Sequence, residues 1–165
     1  MNNTLINNYH DKAMEAEHFQ FEEDFMEDNI RCIPMIVRFK LDAAGIKLKL
    51  AEWSRFSVEE RNQLTRQHCS NLVEVAIYRN YLHQLVVMHT GNDPVNLMVD
   101  NNPPWANCNE VHPSLQAKAK EHDWFISIAQ WRLLSHLQRF ALLKLYRPGH
   151  ENKNFPKAMK EFNLV

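Results

Sequence analysis

From residue 35 to the carboxyl end, apolar positions recur mostly three or four apart, the spacing that gathers them on one face of a helix. The strongest run lies between Ser127 and Tyr146. Placed at the helical repeat, Trp131, Leu133, Leu134, Leu137, Phe140, Ala141, Leu142 and Leu145 fill a wide apolar arc. Arg132, Ser135, His136 and Arg139 take the remaining face. Ser127 and Gln130 form a capping box at its start, and Arg147-Pro148-Gly149 ends it. The pattern predicts one continuous central helix on which other segments pack.

Further elements follow from the same chemistry. Ser57 and Glu60 form a second capping box, opening a helix to about Arg66. Trp53 and Phe56 just before it read as core. Ser70 or Asn71 caps a helix to about His89, with Gly91 beyond. Its buried stripe is Val75, Tyr78, Leu82, Leu85 and Val86, with Arg79, Asn80 and His83 facing away and His89 a hydrogen-bonded residue near its end. Pro113 opens a helix to about Glu121, and Asn154-Phe155-Pro156 a last one to about Phe162. Phe19, Phe21, Phe25 and Ile30 anchor a short acidic helix or turn. Residues 35–50 have two readings. Pro34 at the first helical position and Gly45 just past the end predict a helix. The alternation of Val37, Phe39 and Leu41 with Arg38 and Lys40, then of Ile46, Leu48 and Leu50 with Lys47 and Lys49, fits a small β-hairpin near 37–50.

The predicted architecture is therefore mainly α. It is a single compact helical domain over 18–165, of about five to seven helices, preceded by a flexible segment, 1–17. Residues 92–112, rich in Pro and Asn and pinned by Trp105, form its long loop. The 165-residue length suits one domain, and the 45% hydrophobic content is ordinary for a globular chain. Gly45, Gly91 and Gly149 are the only glycines and lie far apart, which excludes glycine-rich phosphate loops and dinucleotide turns.

Charge changes the picture little. Nineteen basic and twenty acidic residues leave a net charge of −1, no basis for nucleic-acid binding. The ends are opposed, however. Residues 1–29 carry eight acids and one base, and residues 132–165 seven bases and two acids, so they dock on each other or offer two patches to partners. The start of the chain lacks the basic and apolar regions of a signal peptide, and no apolar run is long enough for a membrane span. Three widely spaced cysteines are unlike a disulfide framework, so a cytoplasmic location is expected.

The candidate chemistry is sparse. Cys108 and His112 are a close Cys/His pair but only a weak metal candidate, short of the four ligands a structural zinc site needs. Cys32 follows Arg31, a neighbour that favours its thiolate, although buried packing is the commoner use of such a cysteine. Three polar clusters stand out: Arg38, Lys40 and Asp42; Arg132, His136 and Arg139; and the segment after the central helix with His150, Glu151 and Asn154. Chemistry alone leaves two uses open for Arg38, Lys40, Asp42, Arg139, His150, Glu151 and Asn154, an anion pocket or a docking surface. No catalytic spacing and no cofactor motif are present.

Two segments carry a family resemblance. One runs from Arg31 and Pro34 through Arg38, Asp42 and Gly45 to Leu48, and on through Trp53 to Arg61. The other runs from Leu137 to Leu145, then through Gly149, His150, Glu151, Asn152 and Asn154 to Phe155, with Glu161-Phe162. Together they resemble the nitrate reductase-associated protein family over about residues 19–164. The resemblance implies a small cytosolic accessory protein without assigned catalysis, assisting the activity or maturation of assimilatory nitrate reductase. Its implied partner is that molybdenum-cofactor enzyme or a component delivering the cofactor.

Overall fold

Helix-end chemistry sets most element boundaries in a computed structural model of the chain, which describes residues 18–165. Among the described residues the helices are α1 (Glu23–Glu27), α2 (Met35–Ala44), α3 (Leu50–Trp53), α4 (Val58–Arg66), α5 (Leu72–Thr90), α6 (Pro113–Lys120), α7 (Ile128–Leu133), α8 (His136–Leu145) and α9 (Phe155–Glu161). Short 3-10 turns occupy Gln20–Glu22, Pro104–Ala106 and His150–Asn154. The fold is mainly α. The segment 1–17 lies outside the described residues, and with it three of the eight acids of the amino-terminal stretch, Asp11, Glu15 and Glu17.

Residues 35–44 are helical, with Pro34 as the capping residue rather than the first helical one. Gly45 ends α2 at φ +66, and a Cβ there would come 2.9 Å from the Leu97 carbonyl oxygen. Both the backbone angle and the close approach exclude a side chain. The strand β1 (Ile46–Lys47) does not fold back on α2. It pairs antiparallel with β2 (Val95–Asn96), Ile46 opposite Asn96 and Lys47 opposite Val95. The Pro/Asn-rich loop thus begins with a strand and contains a 3-10 turn at Trp105.

The chain forms two compact units, one ending at Asp100 and one spanning Asn101–Val165. In the first, Val37 and Leu41 of α2, Ile46, Trp53, Phe56, Leu64 and the Tyr78, Leu82 and Val86 stripe of α5 make a continuous apolar core. Trp53 Nε1 donates to the Ile30 carbonyl at 2.8 Å, which holds Asn29 and Ile30, both at positive φ, against that core. For the β-branched Ile30 this backbone is a true outlier, sustained by burial and by Trp53.

In the second unit, Trp131, Leu134, Phe140, Ala141, Leu142 and Leu145 are buried, as are Leu115, Ile126, Phe155, Ala158 and Met159. Here α8 packs on α9 and on the turn Pro104–Ala106. Asn154 makes no side-chain cap at the start of α9, which follows directly from the preceding 3-10 turn.

The expected continuous central helix is two helices. Leu134 is extended (ψ 145), and Ser135 caps a new helix. Gln138 N–H donates to Ser135 Oγ at 3.1 Å, and the Gln138 side chain accepts from Ser135 N–H at 2.9 Å. The break turns Leu134 into the core and leaves Leu133 87% exposed. Two expectations change as a result: Leu133 is not core, and Ser135 is a cap rather than one of a polar face.

This break predicts a mutational contrast. Leu133→Ser should shift urea-unfolding stability by no more than about 0.5 kcal/mol, as surface changes do. Leu142→Ala, fully buried in α8, should lose about 2–5 kcal/mol, and Ser135→Ala about 0.5–2 kcal/mol through its cap.

Candidate functional site

The sequence-predicted residues of α2 have separate fates. Asp42 is exposed and Arg38 half-buried, whereas Lys40 is only 4% exposed. Lys40 Nζ donates to the Thr65 and Gln67 carbonyls, both at 2.7 Å, and lies 5.7 Å from the Tyr78 ring centre. Those carbonyls stand at the carboxyl end of α4, where the helix has no partner of its own for them. Burial pulls the Lys40 ammonium down to about 8, with Cys69 opposing. Burial likewise pushes the Cys69 thiol up to about 11, against the pull of Lys40. Tyr78 is raised by burial too, and its hydroxyl donates to the Leu64 carbonyl at 3.0 Å.

Arg79, expected to face away from the core, reaches the other end of α2. Its Nη1 donates to the Ala44 carbonyl and, at 3.1 Å, to that of Gly45. Its Nη2 donates to Asn96 Oδ1 at 2.6 Å, tying α2, α5 and β2 together. His89 is hydrogen-bonded as expected, its Nε2 standing 2.9 Å from Glu60 Oε2. Arg31, the neighbour of Cys32, pairs with Asp28 at 2.8 Å.

In the second unit, His150 is exposed and Glu151 and Asn154 are half-buried, all on the 3-10 turn after α8. Asn152 of the same polar segment donates its side-chain amide to the Leu145 carbonyl at 2.9 Å and to that of Tyr146 at 3.2 Å. Arg139 lies elsewhere. It is 3% exposed, its Nη1 donates to Cys108 Sγ at 2.6 Å, and its guanidinium sits 5.8 Å from the Trp131 ring centre.

The loop bearing Cys108 is fastened to α7. Trp131 Nε1 donates to the Asn107 carbonyl at 2.8 Å, and Arg132 Nε to that of Cys108 at 3.2 Å. Cys108 therefore belongs with Arg139, 31 positions away, rather than with His112. His112 instead accepts from Ser114 N–H at 3.2 Å to cap α6 and stacks on Tyr146. Among the described residues no group of three or more His, Cys, Asp or Glu is disposed to hold a metal ion.

A third feature is an outward face of α5. Leu72, Val73, Ala76, Ile77, Asn80, His83, Gln84, Val87 and Met88 are all exposed and share one side of this helix. None is Asp, Glu, Lys or Arg. Val73 and Ile77, four apart, are 69% and 55% exposed. Apolar residues concentrated on one open face in this way mark an interaction surface more often than scattered ones do. No described helix is long and apolar enough to cross a membrane.

Residues 18–162 match the family model of the conserved nitrate reductase-associated proteins. The chain belongs to that family. No curated protein and no solved structure gives a significant match. Within this family member, Lys40, Cys108, Arg139 and the open face of α5 all lie inside the matched span.

The buried ammonium has a pH signature. Folded Lys40 loses its proton near 8 and unfolded Lys40 near 10.5. The unfolded chain therefore binds more protons between those values, and this residue's contribution to stability rises with pH across that window. Cys69 acts oppositely between about 9 and about 11. The stability excess of the parent over Lys40→Met, from urea unfolding, should grow between pH 8 and pH 10. A constant excess would mean that the ammonium is not desolvated.

Proposed function

We propose that this family member is a non-catalytic accessory protein of the cytoplasm. It docks on assimilatory nitrate reductase, or on a component delivering its molybdenum cofactor, and assists the enzyme's activity or maturation by protein–protein contact. The family name supports the partner. The observation that carries the mode of action is the uncharged outward face of α5. A helix of this length runs roughly 28 Å, a span comparable with one side of a specific interface. Side chains such as Val73, Ile77 and Met88 have most to gain from losing water there. Laying an amphipathic helix into a partner's groove is a recurrent mode of recognition.

An anion pocket built from Arg38, Lys40, Arg139 and His150 has less support. Lys40 spends its donors on the end of α4, and Arg139 spends Nη1 on Cys108. The exposed Asp42 and His150 remain candidates for partner contact on this reading.

Capture of purified nitrate reductase on the immobilised full chain tests the proposal. The parent should retain the enzyme, and the double variant Val73→Asp/Ile77→Asp should retain at least about tenfold less, since each change places a charge in the proposed contact. Helical circular dichroism should not change, because both positions are open to water. Equal retention by parent and variant would refute the α5 surface. If the parent retains neither the reductase nor a purified cofactor-delivery component, the accessory role itself fails.

A further inference from the structure

Many charged side chains of this fold are committed within it. Glu52 and Glu60 accept backbone N–H groups at helix starts, Lys40 and Arg61 donate to carbonyls at helix ends, and Lys118 pairs with Glu121. Two groups are not. Glu23, Asp24 and Glu27 of α1 are exposed, and so are Lys153, on the turn before α9, and Lys157 and Lys160 of α9 itself. None of these six side chains has a hydrogen-bond or ion-pair partner among the described residues.

Local structure does not account for either group. Glu23 and Glu27 stand four apart, as do Lys153 and Lys157, and Lys157 and Lys160 stand three apart. Like charges at such spacings share a face and repel. The helix dipole favours Glu23 and Asp24 in the first turn of α1 and Lys160 in the last turn of α9. It disfavours Glu27 at the end of α1 and Lys157 in the first turn of α9. Charge of one sign is therefore gathered on each face at a local cost, and no counter-charge among the described residues offsets it.

We propose that the lysine face of α9 is an interaction surface for a second copy of this chain and docks on the acidic face of its α1. The two faces are complementary in sign and in scale. One sets three cations along roughly 10 Å, the other three carboxylates along roughly 6 Å, a difference that flexible lysine stems span. In a pair related by a two-fold axis the contact forms twice. The surroundings of the lysines favour a carboxylate-bearing protein face as occupant. Phe155, Met159 and Phe162 are turned inward, so α9 offers neither a stacking aromatic for a nucleic-acid base nor an apolar wedge for a lipid surface. Exposed ion pairs are individually weak, so the association is reversible and needs several of them together. It is separate from the outward face of α5, which carries no Asp, Glu, Lys or Arg.

Analytical ultracentrifugation of the full chain, at concentrations up to about 1 mM, tests this in about 20 mM and about 500 mM salt. The average mass of the parent should rise with concentration at low salt, and the association constant should fall at least about tenfold at high salt. Two charge-reversed variants, Lys153→Glu/Lys157→Glu/Lys160→Glu and Glu23→Lys/Asp24→Lys/Glu27→Lys, should each stay monomeric. Mixed in equal amounts they should associate again, because each then meets opposite charge at both contacts. A parent that is monomeric at low salt, including one that binds anionic vesicles or an oligonucleotide instead, would overturn the proposal. So would self-association indifferent to salt, or a mixture of folded variants that stays monomeric. Should a reversed variant lose its helical circular dichroism, Lys153→Gln/Lys157→Gln/Lys160→Gln replaces it, and a folded glutamine variant associating as the parent does would be equally fatal.

Discussion

Short helices have many ends, and satisfying the carbonyls at those ends is the constraint on which this structure depends. Each helix leaves its last carbonyls without partners inside the helix. Here they are met largely by long polar side chains arriving from elsewhere. Arg61 takes the Trp53 and Ser54 carbonyls after α3, Lys40 takes Thr65 and Gln67 after α4, and Arg79 takes Ala44 and Gly45 after α2. Arg55 reaches His89 near the end of α5, and Asn152 reaches Leu145 and Tyr146 at the end of α8. A positive charge at the carboxyl end of a helix also lies along its favourable dipole direction. Each such contact both ends a helix and fastens it to a neighbour.

At the amino-terminal ends the solution is local, and this difference decides what could be read from the residues. Ser57 with Glu60, Ser127 with Gln130 and Asn71 with Glu74 lie within a turn of each other, so the starts of α4, α7 and α5 were legible. Ser135 with Gln138 has the same signature, yet it was obscured because the apolar spacing continues in phase from Trp131 to Leu145. Periodicity reports which side chains share a face, and says nothing of a backbone that stops and restarts. The carboxyl-end contacts were not legible at all. Lys40 and Thr65 are 25 positions apart, Arg79 and Ala44 35, and no local spacing announces such pairs.

The candidate site was obscured for the same reason. Cys108 has His112 close by in sequence, but its sulfur meets Arg139. Lys40 reads as a basic residue beside Arg38 and becomes, in three dimensions, an internal brace. The face of α5 escaped for a different reason. Apolar residues occupy both sides of that helix, so the stripe buried at Tyr78, Leu82 and Val86 accounted for the pattern and the opposite side drew no attention.

On the proposed docking, that opposite side has a consequence for how recognition works. Apart from His83, which faces Asp93 at 3.2 Å, its outward residues have no ionisable group. A surface of this kind exerts little long-range pull and cannot steer an approaching partner by its field. Selectivity then rests on contour, the fit of branched and thioether side chains into matching hollows. An association made this way is nearly indifferent to ionic strength. It forms at unsteered encounter rates and owes its lifetime to slow separation.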